Sequence, residues 1–306
     1  QRKRRIRALK DRLTRWYMLV GGLAVLGAIT LIFFFLAYVV APLFQGASLT
    51  KGEALTPAWM QDAGKPLLIS LEEQNQVAMR VSDKGQALFF SVETGAELKR
   101  VDLALPAGAS VVSIGEDQPG SPLVILGLSN GQSLVFRHSY KVTYPDGKKT
   151  ISPEIEYPYG ETPMVLDDGG RPLEHVALNA TDTSLIIAGS AGSHLNVLSV
   201  SREENMMTGE VVSEQKRIEL PQMTEPVKAI FVDPRQQWLY VINGRALADV
   251  FSLRDNSLNG RYKLLEDGNA EITASTQLVG GISLIVGSFK GGLAQWFMAR
   301  DPDGEQ

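Results

Sequence analysis

The hydrophobic positions of the chain follow two patterns: one long apolar run near the start, and short apolar stretches separated by polar turns beyond it. No residue from Met18 to Ala41 is charged, and most are Leu, Val, Ile, Phe, Ala or Gly. About 20 consecutive apolar residues let a helix cross a bilayer. The pattern therefore predicts a transmembrane helix over 16–44.

Aromatic residues and a proline mark the ends of this segment. Trp16 and Tyr17 precede the apolar run, and Tyr38 lies near its end, as expected for amphipathic rings at a membrane interface. Pro42 lacks the N–H donor and predicts the end of the helix. A secretory signal peptide is the alternative, but its apolar core is only about 7–15 residues long. An uncleaved anchor is the favoured interpretation.

The residues before the apolar run are strongly basic. The cluster contains eight cations: Arg2, Lys3, Arg4, Arg5, Arg7, Lys10, Arg12 and Arg15. Cations of this kind stay on the cytoplasmic side of a membrane. We therefore expect a bacterial inner-membrane protein whose basic segment 1–15 is cytoplasmic and whose main domain is periplasmic. Segment 1–15 is also a candidate for a basic interfacial helix.

Beyond a predicted linker over 45–66, a unit made of an apolar strand, a turn ending in Gly-x-x-Leu and a second apolar strand recurs five times. The fifth copy varies the turn to Lys-Gly-Gly-Leu. The turn glycines lie 46 to 61 residues apart, and they are Gly85, Gly131, Gly192, Gly244 and Gly291. Glycine suits such hairpin turns because they often need a positive φ.

Periods of about 40–50 residues are typical of propeller blades, which have four strands each. An inner strand is expected before each hairpin, and an outer strand after three of them, over 98–103, 216–220 and 261–265. The stretch 138–172 is interpreted as an insertion. We predict an all-β, WD40-like propeller of about five blades over 67–306, in preference to an irregular β-sandwich. The fifth blade lacks an outer strand, so we expect the natural chain to continue past residue 306.

Charge separates the two parts of the chain. Residues 1–50 hold eight Lys or Arg and one acid, a charge of +7, while the remainder holds 22 Lys or Arg and 33 Asp or Glu, a charge of −11. A domain this acidic is a poor nucleic-acid binder, since phosphate neutralisation dominates that affinity. The chain has no cysteine, which excludes disulfides and thiolate chemistry.

The search for chemistry gives no catalytic, cofactor-binding or metal-binding residue. His138, His175 and His194 share no ligand spacing and are expected to be satisfied or solvent-facing. Asp167 and Asp168 are interpreted as a solvated loop. No nucleophile elbow, Walker A loop or dinucleotide-binding fingerprint occurs. We therefore expect a protein that is not an enzyme and needs no cofactor.

The order of parts, with Val-Gly-Gly-Leu-Ala-Val-Leu-Gly at 20–27 and Phe-Phe-Phe-Leu-Ala-Tyr-Val-Val-Ala-Pro-Leu-Phe at 33–44, resembles the N-terminal part of long-form permease subunits of Pst-type phosphate ABC importers. The resemblance implies a periplasmic domain that regulates transport or contacts other proteins. It also implies about five further membrane helices, and as partners a second permease subunit, a cytoplasmic ATPase and a phosphate-binding protein.

Two other classes stay open on the sequence alone. One is a single-span propeller scaffold for envelope protein assembly. The other is an anchored quinoprotein-like dehydrogenase, which would need a cation-lined central funnel. A propeller fold hosts binding and catalysis alike and does not decide between them.

Overall fold

A computed structural model describes residues 2–44, 46, 54–204, 211–265 and 271–299. The chain divides into two compact units, Gln1–Ala54 and Leu55–Gln306. The first unit is helical and the second consists of β-strands.

The first unit contains one continuous helix, α1 (Arg2–Val40), followed by a 3₁₀ turn, Ala41–Phe44. The stretch Arg12–Phe44, which includes the 3₁₀ turn, is long and apolar enough to cross a membrane, and an 18-residue window within it has a mean hydropathy of 2.7. Large apolar side chains point outward all round it; Tyr38, for example, is 79% exposed. The hydroxyl of Thr30 donates to the carbonyl of Leu26 at 2.8 Å, which satisfies a polar group inside the apolar run.

The described part of the second unit contains five antiparallel sheets, each formed by strands that are consecutive in the chain. Blade 1 contains β1 (Pro66–Leu71), β2 (Val77–Ser82), β3 (Gln86–Ser91) and β4 (Glu97–Asp102). Blade 2 contains β5 (Val111–Glu116), β6 (Leu123–Leu128), β7 (Gln132–Thr143) and β8 (Thr150–Glu156), with β9 (Met164–Val165) paired to β7. A 3₁₀ turn, Pro145–Gly147, joins β7 to β8, and another, Ala58–Met60, precedes blade 1.

The remaining three sheets follow in the same order. Blade 3 contains β10 (His175–Ala180), β11 (Ser184–Ala191), β12 (His194–Glu204) and β13 (Val211–Glu219). Blade 4 contains β14 (Val227–Val232), β15 (Trp238–Asn243), β16 (Leu247–Ser252) and β17 (Ser257–Lys263). Blade 5 contains β18 (Ile272–Gln277), β19 (Ser283–Ser288) and β20 (Leu293–Phe297). Four-stranded meanders in series confirm the predicted WD40-like β-propeller.

Each hairpin between the second and third strands needs one residue with positive φ. Gly85, Gly131, Gly192 and Gly291 supply it, as the sequence predicts. The fourth turn differs, because Gly244 lies in the turn without a positive φ and Ala246 adopts φ +59° instead. The side-chain oxygen of Asn243 accepts the N–H groups of residues 245 and 247 at 2.9 and 3.2 Å. This side chain holds the turn where a glycine was expected to do so.

The hydrophobic core lies between adjacent blades. Phe89 of blade 1 and Phe136 of blade 2 are both fully buried and belong to one cluster at their interface. Trp296 of blade 5 contacts Tyr240 and Tyr262 of blade 4, with ring centroids 5.6 Å apart in both pairs. Apolar burial of this kind contributes about 25 cal/mol per Å², so the blades stabilise one another face to face.

Two segments differ from their sequence interpretation. The stretch 138–172, interpreted as an insertion, contains β8, the fourth strand of blade 2. Residues 55–65, which fall in the predicted linker, contact blade 1: the Trp59 ring lies 5.0 Å from that of Phe90 and its Nε1 donates to the Gly95 carbonyl at 2.8 Å. The guanidinium of Arg80 donates to the carbonyls of Ala63 and Gly64. Blade 1 is thus covered by the chain that precedes it.

Candidate functional site

The inner strands of blades 2 to 5 surround a central cavity of about 640 Å³. Its wall carries apolar side chains that alternate with small polar ones, including Ile114, Val176, Ile230, Ser113 and Ser275. The Ser113 hydroxyl donates to the Leu173 carbonyl at 2.6 Å. The cavity therefore has mixed polarity, and its ionisable groups lie toward the two ends of the strands.

One end is formed where the inner strands begin. Lys228 Nζ lies 3.8 Å from Glu271 Oε1, with both side chains largely exposed. His175, the first residue of β10, is half-buried, and this burial lowers its pKa. The end therefore presents a neutral imidazole near one exposed ion pair.

The other end is formed where the inner strands finish. Burial raises the pKa of both Glu116 and Asp117. Asp117 Oδ1 accepts hydrogen bonds from Asn179 Nδ2 at 2.9 Å and from the Ala180 N–H at 3.2 Å. These bonds hold Asp117 as a structural acceptor between blades 2 and 3.

This end is also bridged across the cavity. The Gly280 N–H, in the β18–β19 turn of blade 5, donates to Gln118 Oε1, in the β5–β6 turn of blade 2, at 3.0 Å. Over the described ranges, no group of three or more His, Asp or Glu side chains is arranged to hold a metal ion. This end of the cavity is therefore held together by hydrogen bonds between blades.

A second cluster joins blade 2 to blade 3. The carbonyl of Gly131 accepts the N–H groups of Leu166 and Asp167 at 3.0 and 2.9 Å. The Asp167 carboxylate accepts hydrogen bonds from Arg171 Nη2 at 2.5 Å and from Asn196 Nδ2 at 3.2 Å. The hydrogen bond from Arg171, above all, lowers the pKa of Asp167 to about 2.

The prediction of a solvated loop at 167–168 is therefore wrong for one of its two residues. The Asp167 side chain is 2% exposed, whereas that of Asp168 is 76% exposed and pairs with Arg217 at 2.8 Å. A carboxylate can be buried here because cationic and amide donors from two blades converge on it. The loop acts as a clasp between the two sheets.

The three histidines lie in three different environments. His138 is only 4% exposed and packs edge-to-face on Tyr140, with ring centroids 5.6 Å apart. Burial lowers the pKa of His138 and raises that of Tyr140 to about 12. His175 lies at the cavity and His194 at a hairpin turn. The structure brings no two of these histidines together in one site, and of the two expected environments, satisfied or solvent-facing, His138 is not solvent-facing.

The residues predicted to anchor and orient the membrane helix all lie on α1 or just after it. Trp16 and Tyr17 are adjacent, exposed and edge-to-face, with ring centroids 6.5 Å apart. Pro42 lies in the 3₁₀ turn directly after α1, where a proline is expected to end a helix. The eight cations occupy its first four turns. Their role in orientation stays a prediction.

Blade 5 presents a feature that the sequence analysis missed. Leu293 and Phe297 are 76% and 55% exposed on the face of β20 that points away from blade 4. Their neighbours in alternation, Ala294 and Trp296, pack toward blade 4. The strand β20 has apolar residues on both faces, so its sequence alone does not show which face is covered.

Comparison with solved structures finds likenesses in the fold. In structure the chain is similar to the β-propeller domain of Myceliophteria thermophila Cps50 (Swd1), with 14% identity and a TM-score of 0.48 over 79% of this chain and 69% of that chain. It is similar to Chaetomium thermophilum Raptor with the same identity and TM-score, over 78% of this chain and 20% of that one. No protein-family model and no curated protein sequence matches the chain. These likenesses concern the fold alone.

The expected relationship to the Pst-type phosphate permeases is therefore wrong. The structures that match contain WD40 β-propellers, and no permease family model matches. The second permease subunit, the ATPase and the phosphate-binding protein were implied by that resemblance only. The shared segments were an apolar helix and its flanks, which many single-span proteins have for the same physical reason.

Proposed function

We propose that the protein is a membrane-anchored β-propeller that binds other proteins at the membrane surface and is not an enzyme. The observation that carries this proposal is the presence, in one chain, of an uncovered apolar helix and a propeller. A helix with Phe33, Phe34 and Phe35 each more than 60% exposed is unstable in water and stable in lipid. The bilayer is its first partner.

The orientation follows from the basic turns of α1. Eight cations precede the apolar run, so the N-terminus lies on the cytoplasmic side and the propeller on the opposite side of a bacterial inner membrane. The charge of −11 outside the first 50 residues keeps the propeller away from anionic lipid headgroups and nucleic acid.

Protein contact is favoured over catalysis by the distribution of ionisable groups in the described parts of the propeller. Asp117 and Asp167 are held by structural donors, and Asp249 pairs with Arg261 at 2.5 Å. Each lies between blades or strands and none meets a nucleophile. The outer surface instead carries exposed apolar side chains such as Tyr144 and Phe289, 66% and 80% exposed.

The anchoring and orientation are tested by cysteine labelling, because the native chain contains no cysteine. Glu93→Cys places a thiol on the propeller and Lys10→Cys places one on the basic turns. In intact spheroplasts, a membrane-impermeant maleimide is expected to label the first variant and not the second. Equal labelling of both, or extraction of the protein by alkaline carbonate, would overturn the proposed topology.

The contact role is tested by a photo-crosslinking amino acid at Tyr144 and at Phe289, with the lipid-facing Phe34 as the control position. We expect a discrete crosslinked protein from at least one propeller position in cells. Crosslinks to lipid alone from all three positions would contradict protein binding.

A further inference from the structure

The hairpin formed by β7 and β8 projects beyond the rest of the blade 2 sheet. Strand β6 pairs with β7 only as far as Arg137, which lies opposite Leu123. From Arg137 to Thr143, β7 pairs with β8. At about 3.4 Å per residue, the part after Arg137 is a two-stranded ribbon that extends roughly 20 Å past β6.

The base of this ribbon is fixed on blade 1. The Tyr140 ring packs edge-to-face on Phe89, with ring centroids 6.1 Å apart. Lys99 Nζ donates to the Pro153 carbonyl at 2.9 Å. These contacts hold the base in place, so the fold sets where the end of the ribbon lies on the propeller.

The ribbon tip, residues 141–150, is open to solvent. Each of its residues is exposed except Thr143, which is half-buried. Val142 and Tyr144 are 43% and 66% exposed. Because alternate residues of a strand share a face, Val142 lies on the same face as Tyr140. The apolar face of the ribbon therefore continues past the part that blade 1 covers.

The ribbon tip is basic, although it belongs to an acidic domain. It contains Lys141, Lys148 and Lys149 and a single acid, Asp146, which gives a charge of +2, whereas residues 51–306 together carry −11. Neither Lys141 nor Lys148 forms an ion pair with a carboxylate in the described part of the chain. The tip thus combines exposed cations with an uncovered apolar face.

This combination suits the surface of a lipid bilayer. Tyrosine rings are enriched at the membrane–water interface, and clustered lysines are attracted to anionic lipid headgroups. The propeller as a whole repels such headgroups because its net charge is negative. The ribbon tip reverses that sign locally and offers a place where the domain can approach them.

A protein surface is a poorer occupant for the ribbon tip. A standard protein interface takes about 20–30 residues from each side, whereas the tip is one projecting turn. The buried clusters between the blades consist of apolar residues, and lysine is almost never fully buried. A packed blade or partner protein would have to bury three lysines here, while a bilayer needs no matching shape and leaves them at its polar surface.

We propose that the ribbon tip is a second point of contact between this protein and the bilayer. Tyr144 and Val142 enter the headgroup region, and the three lysines meet anionic headgroups. The inference rests on the anchoring by α1 proposed above, since an inserted helix keeps the propeller beside lipid.

The test uses the full chain reconstituted into phosphatidylcholine vesicles with and without phosphatidylglycerol. Because the chain has no cysteine, Thr150→Cys accepts a single fluorophore at the tip, and a lipid with a nitroxide on its headgroup quenches that fluorophore on contact. Ser193→Cys, in the exposed β11–β12 turn at the other end of the blades, is the control position. We expect quenching at Thr150→Cys that is strong with phosphatidylglycerol and weak without it, and little quenching at Ser193→Cys in either vesicle.

Charge at the tip is tested by the triple variant Lys141→Gln/Lys148→Gln/Lys149→Gln. It should lower the ratio of docked to undocked tip by about tenfold or more, because each lysine near the surface adds to the attraction by anionic lipid. The matched control changes the net charge equally and should leave the quenching nearly unchanged. It replaces three exposed lysines outside the tip with glutamine: Lys65, Lys84 and Lys216.

Three results would overturn the lipid contact: no quenching at Thr150→Cys, quenching equal to that at Ser193→Cys, or equal effects of the two triple variants. A photo-crosslinker at Tyr144 that captures only protein would overturn it as well, while supporting the contact role. The anchoring by α1 would still stand if the maleimide labels Glu93→Cys and not Lys10→Cys, so the two failures are distinguishable.

Discussion

Replacing Asp167 with asparagine tests whether the clasp between blades 2 and 3 depends on charge. The side chain is 2% exposed and accepts from Arg171 and Asn196. Asparagine keeps the size but removes the negative charge. Arg171 then loses its ionic partner. The amide NH₂ group of the new side chain is a donor, and it lies where the carboxylate accepted hydrogen bonds from other donors.

The magnitude follows from the pKa of the carboxyl group. Its native pKa is lowered from 3.8 to about 2, and one pKa unit corresponds to about 1.36 kcal/mol. The charged form of Asp167 therefore contributes about 2 kcal/mol to the free energy of unfolding at neutral pH. In a domain of this size, such a loss lowers the melting temperature by roughly 4–8 °C.

The sign of the pH dependence is fixed by the direction of the shift. A carboxyl group whose pKa is lower in the folded state stabilises fully above its unfolded pKa, about 3.9. This contribution disappears as the pH falls from about 4 through about 2, when the native carboxylate takes up its proton. Thermal unfolding of the detergent-solubilised chain at several pH values between 7 and 2, followed by circular dichroism, measures the loss.

The neighbouring Asp168→Asn variant is the control. Its carboxylate is 76% exposed and its pair with Arg217 lies at the surface, where ion pairs contribute little. Asp167→Asn should therefore melt well below Asp168→Asn at pH 7, and the two should converge near pH 2. Equal melting temperatures at pH 7, or an unchanged acid transition in Asp167→Asn, would refute the reasoning.

Four further substitutions compare buried with exposed positions elsewhere in the chain. Burial lowers the pKa of His138, so the imidazole binds a proton more readily in the unfolded chain than in the folded one. Stability should therefore fall as the pH drops below about 6.5. In thermal melts, His138→Gln should make this fall smaller. Arg261→Met leaves the carboxylate of Asp249, 1% exposed, without its cation, and should cost about 3 kcal/mol in denaturant unfolding. Phe89→Ala removes a fully buried ring and should cost about 3–5 kcal/mol, whereas Phe297→Ala should change stability by about 0.5 kcal/mol or less.

For each of these expectations, a particular result would contradict it. A His138→Gln chain with the parent's pH profile would show that this imidazole does not control the profile. Arg100→Ala, which breaks the half-exposed pair with Glu97, is the control for Arg261→Met, and equal effects of the two would reject the burial argument. Similar losses of stability for Phe89→Ala and Phe297→Ala would show that the Phe297 side chain is packed rather than exposed.

The hairpins and the helix were predictable because their signals are local. Alternation over a few residues and a glycine at the turn predict a strand pair, and four of the five turns have glycine at the positive φ. The fourth was predicted at Gly244, but Ala246 takes that conformation. In this turn the Asn243 side chain accepts two backbone N–H groups, one on each side of Ala246.

Features that depend on distant residues were not predictable. The strand β8 was missed because Pro153 interrupts its pattern, and proline argues against a strand except at a sheet edge. Asp167 looks like any loop acid until Asn196 of blade 3 is brought to it. Whether a face of β20 is covered depends on the elements packed against it, and the alternation of residues within one strand does not show which elements these are.

The topology of the propeller also determines the order in which it can assemble. Apart from the short β9, which pairs with β7, each described strand pairs with a strand next to it in the chain, so each blade closes only short loops and needs no strand from a later blade. Residues 55–65 precede blade 1 in the chain and pack on it, so this blade can be covered as soon as it forms. The bond from Gly280 to Gln118 joins residues 162 positions apart, and it is therefore among the last to form. A chain held by its N-terminal helix can fold blade by blade as it emerges, with the bridge across the cavity as the final step.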